Sequence, residues 1–191
     1  MSVTGTDTRD TGTTAATATT ASGADERADL LEALAKQRHF LRFTARGLTD
    51  EQAGQRTTAS ALCVGGLIKH VTEVERSWAG FLVEGAASMP DFTQMTEADF
   101  AKRADDFAMG PGDTLAGVLD AYAEAARRTD EVIASLPDLG VTHLLPKAPW
   151  YEGRARWSAR RAVLHMLTET AQHAGHADII RESLDGAQSM A

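Results

Sequence analysis

Apolar residues recur every three or four positions in four segments of the chain, which is the spacing of one helix face. The four segments cover about 25–46, 60–83, 113–136 and 158–184. The stripe is clearest in the second segment, which carries Leu67, Val71, Val74, Trp78 and Phe81. No run alternates between apolar and polar residues over more than a few positions, so no strand is predicted. Four consecutive long helices predict an all-α, up-down four-helix bundle.

Cap and turn residues mark the ends of these segments. Thr49–Gln52 has the capping-box pattern of a short helix after the first segment. Ser158 is the predicted N-cap of the fourth long helix, and Gly186 follows its end. A further short helix is predicted over about 96–103. The pair Gly65–Gly66 lowers helix stability in the second segment, but it allows another backbone to approach closely.

The first 24 residues differ in composition from the rest of the chain. Residues 1–24 are mostly Thr, Ala, Gly and Ser, so they offer little to bury and are predicted to be a disordered tail. From Asp25 the composition changes to Leu, Ala, Glu and Arg, and 25–186 is predicted to be one folded domain. Residues 187–191 are predicted to be a short C-terminal tail. A chain of 191 residues is also expected to hold a single domain.

Charge and composition narrow the class of protein. The formal net charge of −8 argues against a general nucleic-acid binder, which usually has a basic face. No apolar run approaches the roughly 20 residues that span a bilayer, and the N-terminus lacks the pattern of a signal peptide. The only cysteine, Cys63, allows no intramolecular disulfide. A soluble cytoplasmic protein is therefore predicted, with no nucleic-acid or membrane partner.

The fourth helix has polar residues on the side expected to face the core. His165, Glu169, His173 and His176 fall within an arc of roughly 80° on a helical wheel. Burying them without partners is costly, and a metal ion is the simplest common partner. Glu169 and His173 reach toward one point, and His70 in the second helix is a candidate third ligand. Such a ligand set suits zinc or iron and leaves a coordination position open, as catalytic sites do.

Structural roles are the alternative for several of these residues. Glu169 could pair with a neighbouring arginine, which would leave His173 merely solvated. His165 and His176 are predicted to be pocket or outer-shell groups rather than ligands. His39 is expected to be an ordinary hydrogen-bonded histidine.

Two further groups of residues have open interpretations. Trp150, Tyr151 and Trp157 lie in or near the loop before the fourth helix, where they form either a hydrophobic plug or a lid over the pocket. The second group, Glu73, Glu75 and Arg76, is expected to be a solvated face of the second helix.

Three stretches of the chain resemble the DinB-like (YfiT-like) superfamily: Gly47–Ala53, Gly65–Trp78 and His165–Glu182. The resemblance covers about 25–186 and depends most on a His in the second helix followed by Glu-x-x-x-His in the fourth. It implies a four-helix bundle that holds a divalent metal with three side chains. In the mycothiol-dependent branch, which includes maleylpyruvate isomerase, the middle ligand is a glutamate. Resemblance to that branch implies that His70, Glu169 and His173 hold the metal and are catalytic through it.

The same resemblance implies a thiol S-transferase. In the implied reaction a divalent metal, preferably zinc with iron or nickel as alternatives, binds a low-molecular-weight thiol as its thiolate. The thiolate then attacks an epoxide, an activated alkene or a halide. The Lys-poor, Ala- and Arg-rich composition is typical of a high-GC genome and hence of an actinomycete, whose thiol is mycothiol. The implied role is detoxification.

Further residues are candidates for holding the sugar-bearing thiol. These are His176, Asp178 and Arg181, with Tyr151 and Trp157 at the rim of the pocket. Asp178 and Arg181 have an alternative interpretation as a surface pair three residues apart.

Three other functions fit the same pattern. They are a thiol-dependent step of a specialised biosynthetic pathway, a non-haem iron enzyme with a two-histidine, one-carboxylate site, and a non-catalytic stress or binding protein. A homodimer is also possible, through an apolar outer face of the fourth helix formed by Val163, Leu167 and Ala174.

Overall fold

Four long helices form a bundle, as the sequence predicted. The computed structural model describes Met1, residues 13–151 and residues 155–189, with the backbone alone for 13–24 and Ala104. The helices are α1 (Thr13–Thr44), α2 (Asp50–Gly54), α3 (Val64–Glu84), α4 (Glu97–Asp105), α5 (Leu115–Ser135) and α6 (Ala159–Asp185), with a 3₁₀ helix at Gly85–Ser88. Helix α6 packs against α1 and α3, and α5 packs against α3 and α1. The predicted all-α bundle is therefore confirmed.

Cap residues set several helix ends where the sequence predicted them. Thr49 accepts a hydrogen bond from the Gln52 backbone, and the Gln52 side chain accepts one from Thr49 N, which completes a capping box for α2. Ser158 caps α6 by accepting from Arg161 N. Gly186 ends α6 with a φ of +78°, a left-handed conformation that glycine adopts at little cost.

Helix α1 begins at Thr13, well before the start predicted near Asp25. Alanine recurs between these two positions and has the highest helix propensity, which favours the extension, whereas the equally frequent threonines and Gly23 oppose it. Residues 2–12, the first part of the predicted disordered tail, lie outside the described residues, as do residues 190 and 191.

A short hairpin overturns the expectation that the chain has no strand. Strands β1 (Thr142–Leu144) and β2 (Arg156–Ser158) pair antiparallel, with His143 opposite Trp157. Each strand has three residues, too few to show a period-2 pattern in the sequence. The hairpin matters because the last residue of β2, Ser158, is also the N-cap of α6.

The core consists of two apolar clusters separated by a buried polar layer. Leu41, Val71 and Tyr122 belong to the first cluster, and Leu34, Trp78 and Met166 belong to the second. The layer between them contains buried polar side chains from all four long helices: Arg38, Glu75, Thr129 and Thr170. The expectation that Glu75 is solvated is wrong, because its side chain is fully buried and pairs with Arg38.

The surface on which a dimer was predicted is not on the outside of the bundle. Val163 and Ala174 are buried and Leu167 is partly buried against the second cluster, because α6 packs against two helices and its inner side is wider than one stripe. The large apolar side chains that α6 exposes are instead Leu164 and Ile179. Among the helices in the described part of the chain, none is both long and apolar enough to cross a membrane.

Candidate metal centre

His70, Glu169 and His173 meet between α3 and α6. One potential ligand atom from each side chain lies within 4.8 Å of the other two. The Nε2 atom of His173 is 3.5 Å from Glu169 Oε2, and the Nε2 atom of His70 is 3.8 Å from the same oxygen. The structure thus brings together the three side chains that the sequence nominated, one from α3 and two from successive turns of α6.

These distances can be compared with those expected around one metal ion. Ligand atoms about 2.1 Å from a tetrahedral ion lie about 3.4 Å from one another. The His173–Glu169 distance of 3.5 Å already matches this value, and the His70–Glu169 distance is 3.8 Å. The largest separation among the three ligand atoms is within 4.8 Å, so the side chains must rotate to draw these atoms together around an ion. Two imidazole nitrogens and one carboxylate oxygen are a donor set that zinc and iron accept. The residues present therefore fit a divalent metal.

Neighbouring side chains contact the two histidines from outside the cluster. The His70 ring stacks on Phe107 with 4.0 Å between ring centroids and 22° between planes. The Nδ1 atom of His173 lies 3.5 Å from His176 Nδ1, on the side of the ring away from Glu169. His176 is thus placed to contact a candidate ligand rather than to act as one.

The electrostatics of the cluster favour an ionised carboxylate. Hydrogen bonding from His173, and then from His70, holds the pKa of Glu169 far below its ordinary value. Burial lowers the pKa of His165; the charge of Glu169 opposes this shift and that of Arg161 adds to it. An anionic Glu169 is the form that binds a cation.

A cavity of about 290 Å³ opens beside the cluster. His70, Glu169 and His165 are among the residues that line it. Its apolar wall includes the aromatic residues Trp78, Phe92, Trp150 and Tyr151, and its polar side includes Glu73, Arg103 and Asp106. A small molecule in this cavity lies against both the candidate metal ligands and the aromatic wall.

The aromatic residues before α6 differ in whether they line this cavity. Tyr151 lines it directly, whereas Trp157 stacks behind Trp78 with ring centroids 4.9 Å apart. The His165 ring makes T-shaped contacts with both Trp78 and Trp157, with ring centroids 4.7 and 5.3 Å apart. His165 Nε2 is also 3.8 Å from Glu169 Oε1, so the histidine connects the aromatic wall to the cluster.

Asp178 and Arg181, nominated for the thiol pocket, are engaged elsewhere. Arg181 donates hydrogen bonds to the carbonyl oxygens of Thr44 and Arg46, and so ties α6 to the end of α1. Its other partner is Asp185, four residues along the helix. Asp178 accepts from the backbone of Ser189. Neither residue lines the cavity beside the cluster, and the two do not form the surface pair considered as the alternative.

Several residues around the cluster carry no signal in the sequence. Phe107 stacks on His70, and Phe92, Arg103 and Asp106 line the cavity, but all four come from the region between α3 and α5 where no helical stripe points to a site. The pair Gly65–Gly66 did indicate that another segment packs closely against α3, but it did not identify that segment as the one around Phe107.

The fold and the cluster together define the chain as a DinB-like helical bundle. A model of the family described as "Mycothiol-S-transferase" matches residues 29–186, most of the described chain. The chain therefore belongs to the mycothiol-S-transferase family.

The solved structures add support for the fold alone. A conserved protein from Enterococcus faecalis, known from a crystal structure, superposes with a TM-score of 0.59 at 13% sequence identity. The match covers 83% of this chain and 96% of that one. No curated protein matches the sequence.

Proposed function

We propose that this protein is a metal-dependent S-transferase that joins a low-molecular-weight thiol, mycothiol, to an electrophilic small molecule. The observation that carries the proposal is the convergence of His70, Glu169 and His173 within 4.8 Å, in a chain of the mycothiol-S-transferase family. A divalent metal bound there supplies one chemistry, the stabilisation of the thiol as its more reactive thiolate.

The residues around the three candidate metal ligands favour metal binding. Glu169 contributes the negative charge, which its low pKa maintains at neutral pH. His173 presents Nε2 toward Glu169 while its Nδ1 faces His176, so a proton on Nδ1 leaves Nε2 free to bind the metal. Because the three ligands come from only two helices, the side toward the cavity stays open for substrate.

The cavity holds the reactants against the cluster. Its aromatic wall of Trp78, Phe92 and Tyr151 suits the apolar part of an electrophile, while Glu73 and Asp106 offer acceptors to hydroxyl groups of a sugar-bearing thiol. The thiol loses its proton to solvent water, and a sulfur–carbon bond forms at the electrophile. As it forms, the carbon–halogen bond breaks to release halide; in an epoxide a carbon–oxygen bond breaks, and the oxygen takes up a proton. Holding the two reactants together supplies much of the rate.

The metal content of the purified protein tests this proposal, with Glu169→Gln as the variant. About one zinc per chain, largely lost in Glu169→Gln, together with formation of a thioether from mycothiol and monochlorobimane, supports it. His39→Ala is the control, because His39 is exposed on α1 and takes no part in the cluster. Iron in place of zinc, with oxygen-dependent activity, would favour an iron enzyme. Wild-type metal content in Glu169→Gln would refute the ligand set.

A further inference from the structure

The ring of Phe107 lies flat against the candidate ligand His70. In addition to the stack on His70, at 4.0 Å between ring centroids, the Phe107 ring meets His173 edge-on at 6.1 Å. Phe107 lies between α4 and α5, whereas the two histidines come from α3 and α6. One aromatic ring from a connecting segment thus touches both imidazoles of the cluster.

The segment that carries Phe107 reaches this position because α3 has two glycines in its first turn. A Cβ atom on Gly66 would lie 1.9 Å from the carbonyl oxygen of Phe107, and one on Gly65 would lie 2.2 Å from Met109 Sδ. The first of these contacts is with backbone, which cannot rotate away. Any side chain at Gly66 therefore displaces the Phe107 backbone.

Polar contacts from the start of α3 and its N-cap residue hold the same segment at Phe107 and just after it. The Cys63 thiol lies 3.8 Å from the Phe107 carbonyl oxygen, and Lys69 Nζ donates to the Ala108 carbonyl at 2.9 Å. Lys69 also pairs with Asp113 at 2.6 Å, just before α5. Since Lys69 immediately precedes His70, one turn of α3 carries the candidate ligand and also anchors the segment that stacks on it.

We infer that Phe107–Met109 is a positioning clamp and that Phe107 fixes the His70 ring with Nε2 facing Glu169 and the metal. The inference rests on the proposed metal site. His173 has His176 beside its second nitrogen, whereas the flank of His70 is covered by the flat face of Phe107. A ring already held in its binding orientation loses less freedom when the metal binds, so affinity increases. Phe107 acts through His70 and is a positioning residue.

The test is the affinity for zinc of the metal-free full-length chain, measured by competition with a chromogenic chelator. Phe107→Leu keeps an apolar side chain but removes the flat ring, and Phe107→Tyr keeps the ring. Phe100→Leu is the matched control, because Phe100 is exposed on α4 and does not line the cavity beside the cluster. The cobalt(II)-loaded proteins give a second measurement, since their visible absorption reports the geometry of the ligands.

We expect Phe107→Leu to lose about tenfold in zinc affinity and to change the cobalt spectrum, as substitutions of groups that orient ligands do. Phe107→Tyr and Phe100→Leu should stay near wild type, and the metal-free melting temperature of Phe107→Leu should move little. Wild-type affinity and spectrum in Phe107→Leu would overturn the clamp and leave the proposed function standing. A wild-type protein that binds neither zinc nor cobalt would overturn the metal site, and the clamp with it.

Discussion

Arg38 on α1 and Glu75 on α3 form a bidentate ion pair in the middle of the bundle. Arg38 Nε lies 2.8 Å from Glu75 Oε1, and Arg38 Nη2 lies 2.7 Å from Glu75 Oε2. The arginine and glutamate side chains are 3% and 0% exposed, and Asp130 on α5 also accepts from the arginine at 2.7 Å. Arg38, Glu75 and Asp130 therefore join three helices at the level between the two apolar clusters.

We expect Glu75→Ala to lower the free energy of unfolding by about 3–5 kcal/mol, because it leaves the Arg38 charge buried without its main partner. Urea unfolding monitored by circular dichroism measures the change. Glu124→Ala is the control: it breaks an exposed pair with Arg127 and should cost less than about 1 kcal/mol. Equal, small losses in both variants would contradict a structural role for the buried pair.

The two glycines Gly66 and Gly175 should respond oppositely to alanine. A Cβ at Gly66 meets the Phe107 backbone at 1.9 Å, so Gly66→Ala should destabilise the protein by about 1–3 kcal/mol, as overpacking does. A Cβ at Gly175, within α6, meets nothing within 4 Å, so Gly175→Ala should stabilise it by about 0.4–1 kcal/mol. Urea unfolding of both variants checks the signs. A stabilising Gly66→Ala would mean that the segment at Phe107 does not pack as closely as described.

The elements that the sequence predicted well are those with a local signal. The stripe from Leu67 to Phe81 gave α3, and Ser158 with Gly186 gave both ends of α6, because helix periodicity and caps depend on neighbouring residues. The approach of Glu169 to His173 was also local, since residues four apart share a helix face.

Contacts between distant segments were harder to predict. Phe107 stacks on His70, and Arg181 donates hydrogen bonds to the end of α1. In both cases the two partners are far apart in the sequence, so helix periodicity does not indicate that they meet. Glu75 is different: it lies four residues after Val71 and three before Trp78, so it falls on the apolar stripe. Its position indicated burial, but its charge favoured the solvated interpretation because the partner Arg38 is on another helix.

Zinc should raise the melting temperature of the wild-type protein but not of His173→Ala. A ligand that binds only the folded state at one hundred times its dissociation constant adds about 2.7 kcal/mol to stability. His173 is largely buried between the helices, with Nε2 3.5 Å from Glu169, so its removal takes away one donor without touching the cavity wall. Differential scanning fluorimetry with zinc and with excess chelator measures the shift. His39→Ala should follow wild type, and a zinc shift retained in His173→Ala would count against this ligand.

The low pKa of Glu169 predicts how the metal-free protein responds to acid. A carboxyl whose pKa is lower in the folded than in the unfolded state stabilises the fold above its unfolded pKa, near 4.3, and loses that contribution as the pH falls through the folded value. Hydrogen bonds from His173 and His70 lower the pKa of Glu169, so its contribution should begin to decline near pH 4 and fall further as the solution becomes more acidic.

Urea unfolding at pH 5 and pH 3 in excess chelator tests this prediction. The free energy of unfolding should fall more between these two values in wild type than in Glu169→Gln, which has no carboxyl to protonate. This difference between wild type and Glu169→Gln should be small, because the Glu169 side chain is 26% exposed and water screens its charge. Glu32→Gln is the control: it also removes one carboxylate, but from an exposed position on α1, and it should behave like wild type. Parallel losses in wild type and Glu169→Gln would mean that His173 and His70 do not stabilise the ionised carboxylate.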